Sequence, residues 1–261
     1  MPNYKVDGIV LKTRDFGESD RILTILDRDL GKLEAVAKGA RRVHSTLRGP
    51  CQPFSHNLFF LWRGRSLDGI SQVEVTESFA VLRDELPKLA AASYVAELVD
   101  EVARERDSCP EIFELVLETF RWLETVPPVA AEIVHVLRAF DLKLLGLAGL
   151  GPALDACARC GAPLEAWAGS GSAVAFSPAA GGVVCPSCRI SGEVSGVVLL
   201  AAGTLAAMRH LAAAAPDRSR VLRLTPRAAA EMERALRAHL LYHLDRRPKS
   251  LDFLDEVLGR P

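Results

Sequence analysis

Several common signatures are missing from this sequence of 261 residues. It has no uninterrupted apolar run of the roughly 20 residues that a membrane-spanning helix needs. The longest candidate, residues 142–154, is short and interrupted by glycines. The first residues lack the apolar core and the small-residue cleavage site of a secretory signal. From these absences we expect a cytoplasmic protein without membrane contact.

Motifs that carry catalysis are also missing. The sequence has no GxSxG nucleophile turn, no HExxH helix, no GxxxxGK[ST] phosphate loop and no GxGxxG at the start of a helix. His239 and His243 have a spacing that can bind a metal, but no third ligand accompanies them, so a surface or packing role is favoured. We therefore expect that the protein is not an enzyme.

Charge is nearly balanced overall but unevenly distributed. The formal net charge is −1, yet residues 32–65 contain seven Lys or Arg and one acidic residue, whereas residues 81–145 contain seven basic and thirteen acidic residues. A basic segment of this kind indicates binding to phosphate groups. The candidate nucleic-acid contacts are Lys12, Arg14, Arg21, Lys32, Lys38, Arg41, Arg42 and Arg48.

A solvated exterior is the alternative for these charges. It is less favoured for the four cations between residues 38 and 48, because no acidic residue separates them. Aromatic residues make up only 6% of the chain. Five of them, Phe16, Phe54, Phe59, Phe60 and Trp62, could stack on bases or fill the protein interior. The interior is favoured, because alternate residues of a strand over 54–62 must point inward.

Two CxxC motifs are the most specific feature that the sequence does contain. Cys157 and Cys160 form the first pair, and Cys185 and Cys188 form the second. The spacing predicts a four-thiolate Zn²⁺ site. Four thiolates fill the tetrahedral coordination of one zinc ion and leave no position for water, so the predicted ion is structural. Two disulfides, a redox-active pair and an iron–sulfur cluster are the less favoured alternatives, and the remaining cysteines, Cys51 and Cys109, are expected to be buried thiols.

The hydrophobic pattern of the first 80 residues predicts five strands, at 4–14, 22–27, 32–38, 54–62 and 66–77. Turns at this regular spacing favour a small barrel or sandwich, and a five-stranded barrel interrupted after its third strand is typical of an OB-fold. From Pro87 the pattern changes to a helical period. Further helices are predicted from Pro110, over 129–147 and 201–215, from Pro226, and from Pro248 with Ser250 as candidate cap.

These elements predict an α+β multidomain protein. Its parts are an OB-fold DNA-binding domain at 1–80, an all-helical domain at 81–154 and 193–261, and a zinc module inserted into the helical domain at 155–192. A small hairpin formed by residues 174–176 and 182–184 is expected beside the metal.

Four segments resemble the RecO family of bacterial DNA repair proteins. They are GIVLKTRDFGESDRILT at 8–24, GKLEAVAKGARR at 31–42, RGPCQPF at 48–54 and KSLDF at 249–253. The resemblance implies an N-terminal OB-fold, a helical C-terminal domain and, in many members, a four-cysteine zinc module. Some members have lost cysteines, but all four are present here.

The resemblance also implies a function and partners. Proteins of this family are recombination mediators that bind single- and double-stranded DNA and anneal complementary strands. With RecR they help the RecA recombinase to displace single-strand binding protein, whose C-terminal tail is an expected ligand of the helical domain. A location in the bacterial cytoplasm at the nucleoid follows, and Arg121, Arg138 and Lys143 are loose candidates for binding the tail. The alternatives are a non-catalytic interaction adaptor with a structural zinc site and, less favoured, a zinc hydrolase.

Overall fold

The computed structural model describes residues 3–169, 171–190, 196–244 and 246–259. The chain divides into two compact units. The first unit comprises 1–133 together with 248–261, and the second comprises 134–247. Each unit is described by itself below.

The first unit begins with five strands. They are β1 (Asn3–Phe16), β2 (Asp20–Asp27), β3 (Gly31–Ala37), β4 (His56–Trp62) and β5 (Asp68–Glu77). Their order is β1-β2-β3-β5-β4, and β4 returns to β1 to close a barrel. The β3–β5 contact is parallel, and the other pairs are antiparallel. The prediction of a five-stranded OB-type barrel is confirmed.

The barrel interior is filled by alternate residues of the strands. In β4, Phe59 and Leu61 are fully buried, whereas Phe60 and Trp62 between and after them face outward and are half-buried. Phe54 is also buried. Phe16 at the end of β1 is 48% exposed, so the expectation that the aromatics fill the interior holds for only part of the set.

Helices follow the barrel and the C-terminal helix joins them. They are α1 (Val81–Asp84), α2 (Leu86–Val102), α3 (Pro110–Thr125) and, at the end of the chain, α9 (Lys249–Val257). Helix α9 packs against α2. Its first backbone N–H groups, those of Lys249 and Ser250, donate to the carboxylate of Glu97. Ser250 as cap is therefore wrong, because it lies inside the helix and Glu97 from α2 accepts the free N–H groups instead.

The second unit combines helices with a small sheet. Its elements are α4 (Ala130–Leu147), β6 (Val174–Ser177), β7 (Gly182–Val184), α5 (Pro186–Ile190), β8 (Val198–Leu200), α6 (Ala202–Ala213), α7 (Pro216–Val221) and α8 (Pro226–His243). The sheet order is β7-β6-β8. The predicted hairpin is the antiparallel β6–β7 pair. Of the helices in the described ranges, none is long and apolar enough to cross a bilayer.

Candidate metal centre and nucleic-acid interface

Two turns bring the four cysteines together. In the first turn, the N–H of Gly161 donates to the carbonyl oxygen of Cys157 at 2.9 Å, and Gly161 adopts a φ of +72° that a side chain would strain. The second pair follows β7 directly, so that Cys185 precedes the first turn of α5. The N–H of Ala158 donates to the carbonyl oxygen of Val183 at 2.8 Å, which fixes the first turn beside that strand.

The sulfur geometry fits a tetrahedral ion. All four Sγ atoms lie within 4.8 Å of one another. The Sγ atoms of Cys160 and Cys185 are 3.8 Å apart. An ion with metal–sulfur bonds of about 2.3 Å places the corners of its tetrahedron about 3.8 Å apart. The prediction that these cysteines form one cluster able to hold a metal ion is confirmed.

The electrostatics of the cluster also favour a cation. Burial opposes ionisation of Cys157, but backbone N–H groups that include that of Cys185, at 3.4 Å, outweigh it and lower the pKa of this thiol to about 6. The pKa of Cys188 is raised to about 12, mainly by hydrogen bonds with the sulfur atoms of Cys185 and Cys160. Within the cluster, the surroundings of Cys157 thus favour its ionised form, whereas those of Cys188 favour its neutral form. A divalent ion would supply the missing positive charge.

The other two cysteines lie outside the cluster. Cys51 is fully buried in the barrel, and burial raises its pKa to about 12. Cys109 is only half-buried at the start of α3, so the expectation of a buried thiol is wrong there, because the N-terminal residue of an exposed helix end has neighbours on one side only.

The eight candidate cations fall into three groups. Lys12 and Lys32 form the first group, and both bind Asp100 of α2, with Nζ–Oδ distances of 2.5 Å and 3.1 Å. Burial would raise the pKa of Asp100, but its hydrogen bonds with the two lysines hold that pKa below its ordinary value. These lysines connect the barrel wall to α2.

The second group lies along the β1–β2 hairpin and is paired with acidic residues. Arg21 and Arg41 approach the two carboxylate oxygens of Asp15 at 3.4 Å and 3.3 Å. Arg14 binds Glu34 at 3.1 Å. All three pairs are open to solvent on at least one side, so salt and competing phosphates can reach them.

The third group consists of Lys38, Arg42 and Arg48, which are exposed. Over the described part of the chain, no carboxylate lies within ion-pair distance of these three side chains. Lys38 and Arg42 line a groove of about 720 Å³ between the connection after β3 and the outer side of β5. Its remaining lining is mostly polar and neutral: Gly39, Val43, His44, Ser45, Thr46, Leu47, Ser71, Gln72 and Val73.

The strand register explains why charges distant in sequence meet here. Arg21, the second residue of β2, pairs with Ala37, the last residue of β3, so Arg21 lies beside the start of the basic connection. Nothing in the sequence indicates that the β5 residues contribute to a DNA-binding groove, or that Asp100 binds two of the candidate cations. Only the order and pairing of the strands reveals them.

The three loose candidates for tail binding are engaged within their own units. Arg121 binds Glu77 at 2.6 Å and Glu118 at 2.9 Å. Arg138 is buried against Asp141 at 2.9 Å. Lys143 donates to the hydroxyl of Ser219 at 3.2 Å. An acidic peptide would have to displace these contacts.

The histidine pair of α8 has a packing role. His239 Nε2 faces the carbonyl oxygen of Leu150 at 2.8 Å, and His243 Nε2 faces that of Pro178 at 3.1 Å. The two rings are tilted by 51° to each other, with centroids 4.3 Å apart. Burial lowers the pKa of His239, which favours the neutral ring.

Fold and sites together define an OB-barrel protein with a basic groove and a helical region that carries a four-thiol cluster able to hold a metal ion. Comparison with protein families agrees with this class. A family model described as "Recombination protein O N terminal" matches residues 1–79, and one described as "Recombination protein O C terminal" matches residues 83–252. The chain belongs to the RecO family.

Relatives match along nearly the full chain. DNA repair protein RecO of Symbiobacterium thermophilum is 43% identical over 258 residues, which cover 98% of this chain and 98% of that protein. DNA repair protein RecO of Roseiflexus sp. is 38% identical over 254 residues, covering 97% of this chain and 86% of that protein. DNA repair protein RecO of Moorella thermoacetica is 36% identical over 260 residues, which cover 99% of this chain and 93% of that protein.

Proposed function

We propose that this protein is a non-catalytic recombination mediator in DNA repair, which binds single- and double-stranded DNA and anneals complementary strands. The observation that carries the proposal is the groove at Lys38 and Arg42, where cations without carboxylate partners line an open surface of an OB-type barrel. The names of the relatives, all DNA repair proteins, support the same role.

The proposed DNA-binding set is the eight cations of the N-terminal region. Lys38, Arg42 and Arg48 make the leading contacts, because binding to phosphate costs them no internal ion pair. Arg14, Arg21 and Arg41 exchange exposed carboxylates for phosphates, at a small cost because exposed ion pairs contribute about 0–1 kcal/mol. Lys12 and Lys32 contribute mainly to the long-range positive potential, because Asp100 holds them.

Annealing requires no bond chemistry in this mechanism. Two strands repel each other through their phosphates, and cations on the barrel lower that repulsion when both strands are bound. Base pairing then supplies the driving force, and the duplex leaves because contacts to phosphate are weak and salt-sensitive. The protein lowers a kinetic barrier and acts in the bacterial cytoplasm at the nucleoid.

The salt dependence of binding tests the groove. Each phosphate contact on a single strand contributes about 0.7 to the slope of log K against log salt, so Lys38→Ala with Arg42→Ala should flatten the slope by about 1.4. The matched control is Arg218→Ala with Arg234→Ala, which removes the same charge from exposed positions in the other unit. Equal slopes for the two double variants would remove the groove from the DNA interface.

Annealing itself is measured with fluorescent complementary strands, with and without single-strand binding protein. The proposal expects faster annealing in both conditions and assistance to recombinase loading on coated DNA. An interaction adaptor with a structural metal is the alternative. It predicts no salt-dependent binding to oligonucleotides and no change in annealing rate.

For the metal centre we propose one structural Zn²⁺ ion held by Cys157, Cys160, Cys185 and Cys188. Zinc favours soft thiolate ligands in a tetrahedron, and all four ligand positions are taken by the protein, so a hydrolytic role is disfavoured. The ion would add local folding energy to the module. Elemental analysis of purified protein tests this, with one zinc per chain expected and iron or no metal contradicting it.

RecR and the C-terminal tail of single-strand binding protein are the proposed protein partners. For the acidic tail, we propose the groove of about 530 Å³ between α6 and the start of α8. Its lining combines Ala206, Ala207 and Leu224 with His210 and with Arg227, which stays 78% exposed beside its partner Glu231, and this combination suits an acidic peptide with apolar side chains.

Peptide binding tests this groove. Ala207→Glu places a carboxylate in the lining of the groove and should weaken binding of a synthetic tail peptide at least tenfold. Ala213→Glu adds the same charge at an exposed position outside the groove and should have little effect. Equal affinities of the two variants would place the tail elsewhere.

A further inference from the structure

Two aromatic rings lie on the outer face of the barrel beside the basic groove. Phe60 and Trp62 alternate in β4 with the fully buried Phe59 and Leu61, so their side chains point away from the core. An aromatic ring on the outer face of a sheet leaves part of its large apolar surface in contact with water, and the free energy that burial of this surface would contribute is not gained. Their position therefore calls for an explanation.

Each ring is covered by a lysine from a neighbouring strand or connection. The Lys5 ammonium lies over the Phe60 ring, 5.1 Å from its centroid, and the Lys38 ammonium lies over the Trp62 ring at 5.4 Å. The register places Lys5 directly opposite Phe60. Two alternating cation–ring pairs thus occupy one face.

Gly69 leaves room for the indole ring of Trp62 to lie against the backbone of β5. The two residues are paired across β4 and β5, and a Cβ atom at Gly69 would lie 2.2 Å from the indole ring. Only a residue without a side chain lets the indole lie against the strand here. The ring is therefore held by the sheet rather than by loop residues.

The aromatic face is continuous with the groove. Gln72 pairs with Phe60 across the strands, and the Ser71 hydroxyl donates to the Phe60 carbonyl oxygen at 2.8 Å. Ser71 and Gln72 both line the groove, as does Lys38. A strand whose phosphates occupy the groove would thus have its bases within reach of the two rings.

We propose that Phe60 and Trp62 are stacking positions for unpaired bases, which makes this face selective for single-stranded over duplex DNA. The inference rests on the proposed function and names the form of DNA that this site prefers. A paired base hides both of its faces within the duplex stack, so only an unpaired base can reach a protein ring.

Binding exchanges the partners of the two lysines. In the free protein each ammonium covers a ring. At an exposed site such a contact changes an equilibrium constant by about 2- to 5-fold. On binding, the ammonium moves to a phosphate and a base takes its place on the ring. Stacking of one base is worth roughly 5- to 150-fold in affinity, so the exchange favours the bound state before the phosphate contact is counted.

The test compares an oligothymidylate with an abasic deoxyribose-phosphate chain of the same length, by fluorescence anisotropy at fixed salt. Wild-type protein should bind the thymidylate at least about fivefold more tightly. The Phe60→Leu, Trp62→Leu variant should bring that ratio close to one without weakening binding of the abasic chain, because its lysines no longer have to leave a ring to reach phosphate. Tyr242→Leu removes an exposed aromatic from α8 and should leave the ratio as in wild type.

A second double variant, which keeps an aromatic ring at both positions, controls for misfolding of the leucine variant. The Phe60→Tyr, Trp62→Phe variant keeps both rings and should restore the preference for thymidylate. Equal wild-type binding of the two chains, or an unchanged ratio in the leucine variant, would overturn the stacking proposal while leaving DNA binding by the groove intact. Failure of wild-type protein to bind either chain would overturn the proposed function and the inference together.

Discussion

His56 Nε2 lies 2.7 Å from Asp7 Oδ1, which joins β4 to β1 where the barrel closes. The other ring nitrogen, Nδ1, faces the carboxylate of Glu77 at 3.4 Å. The histidine side chain is only 5% exposed, and its ring packs edge-on against Phe113 of α3. One imidazole therefore links three strands of the barrel and a helix.

Loss of this imidazole should weaken the barrel. His56→Leu removes both hydrogen bonds and leaves two carboxylates facing a buried apolar side chain, so we expect the free energy of unfolding to fall by about 1–3 kcal/mol. Urea denaturation measures the change. His44→Leu, at an exposed position, should stay within about 0.5 kcal/mol of wild type. Similar losses in the two variants would contradict a structural role for His56.

Glu231 should make the second unit sensitive to acid. Its carboxylate accepts hydrogen bonds from the N–H of Ala201, from Arg227 and from the hydroxyl of Thr204, which together lower its pKa to about 2. A carboxyl whose pKa is lowered by folding contributes stability that is present above its unfolded pKa, near 4.5, and is lost as pH falls toward 2.

The Glu231→Gln variant separates this effect from general acid unfolding. The variant should be less stable than wild type at pH 7, and the difference should shrink between pH 4.5 and pH 2. Denaturation monitored at several pH values gives the measurement. Glu165→Gln, at an exposed position, is the control. A difference that stays constant with pH would show that the charge of Glu231 does not contribute.

Gly31 in the β2–β3 turn should tolerate substitution poorly. Its φ is +72°, and a Cβ atom there would lie 2.2 Å from the carbonyl oxygen of Asp107. Gly31→Ala should therefore cost more than the roughly 1–2 kcal/mol of a left-handed backbone alone. Gly17→Ala is the matched control, because Gly17 has a φ of +56° with no atom within 4 Å of its Cβ position. Equal costs by thermal denaturation would show that the chain near Asp107 moves aside.

Loss of one cysteine should release the proposed metal ion and loosen the segment around the four cysteines. Cys157→Ser removes a ligand, and Trp167, which packs against the cluster, should become more exposed to water. Metal content and tryptophan emission are the measurements. Cys109→Ser changes a cysteine outside the cluster and should retain metal. Full stability of Cys157→Ser, combined with metal-free wild-type protein, would refute the metal assignment.

Local patterns in the sequence account for most of the fold and for the metal centre. Alternation of apolar residues and turn spacing predicted the five strands, because each barrel strand buries one face. The two CxxC pairs predicted the cluster, because each pair is a local turn and only one long-range approach remains. In β4, Phe59 points inward and Phe60 outward, although the interior was favoured for both.

Long-range partners could not be predicted in the same way. Lys12 and Asp100 are 88 residues apart, and nothing in the charge pattern distinguishes a lysine bound to a helix from one open to solvent. The predicted cap of α9 was wrong for the same reason, since Glu97, which is 152 residues from Lys249, takes the place of the local candidate Ser250. The role of the eight cations in DNA binding is likewise a proposal, because whether each one is open to phosphate depends on such long-range partners.

The return of α9 to α2 has a consequence for biosynthesis. The first unit combines residues 1–133 with residues 248–261, which are translated only after the whole second unit. During translation, the α2 surface that will contact α9 must wait until residues 249–257 leave the ribosome. Termination before residue 249 would therefore leave the unit made first without α9, and a fragment ending at residue 133 should aggregate more readily than the 261-residue chain.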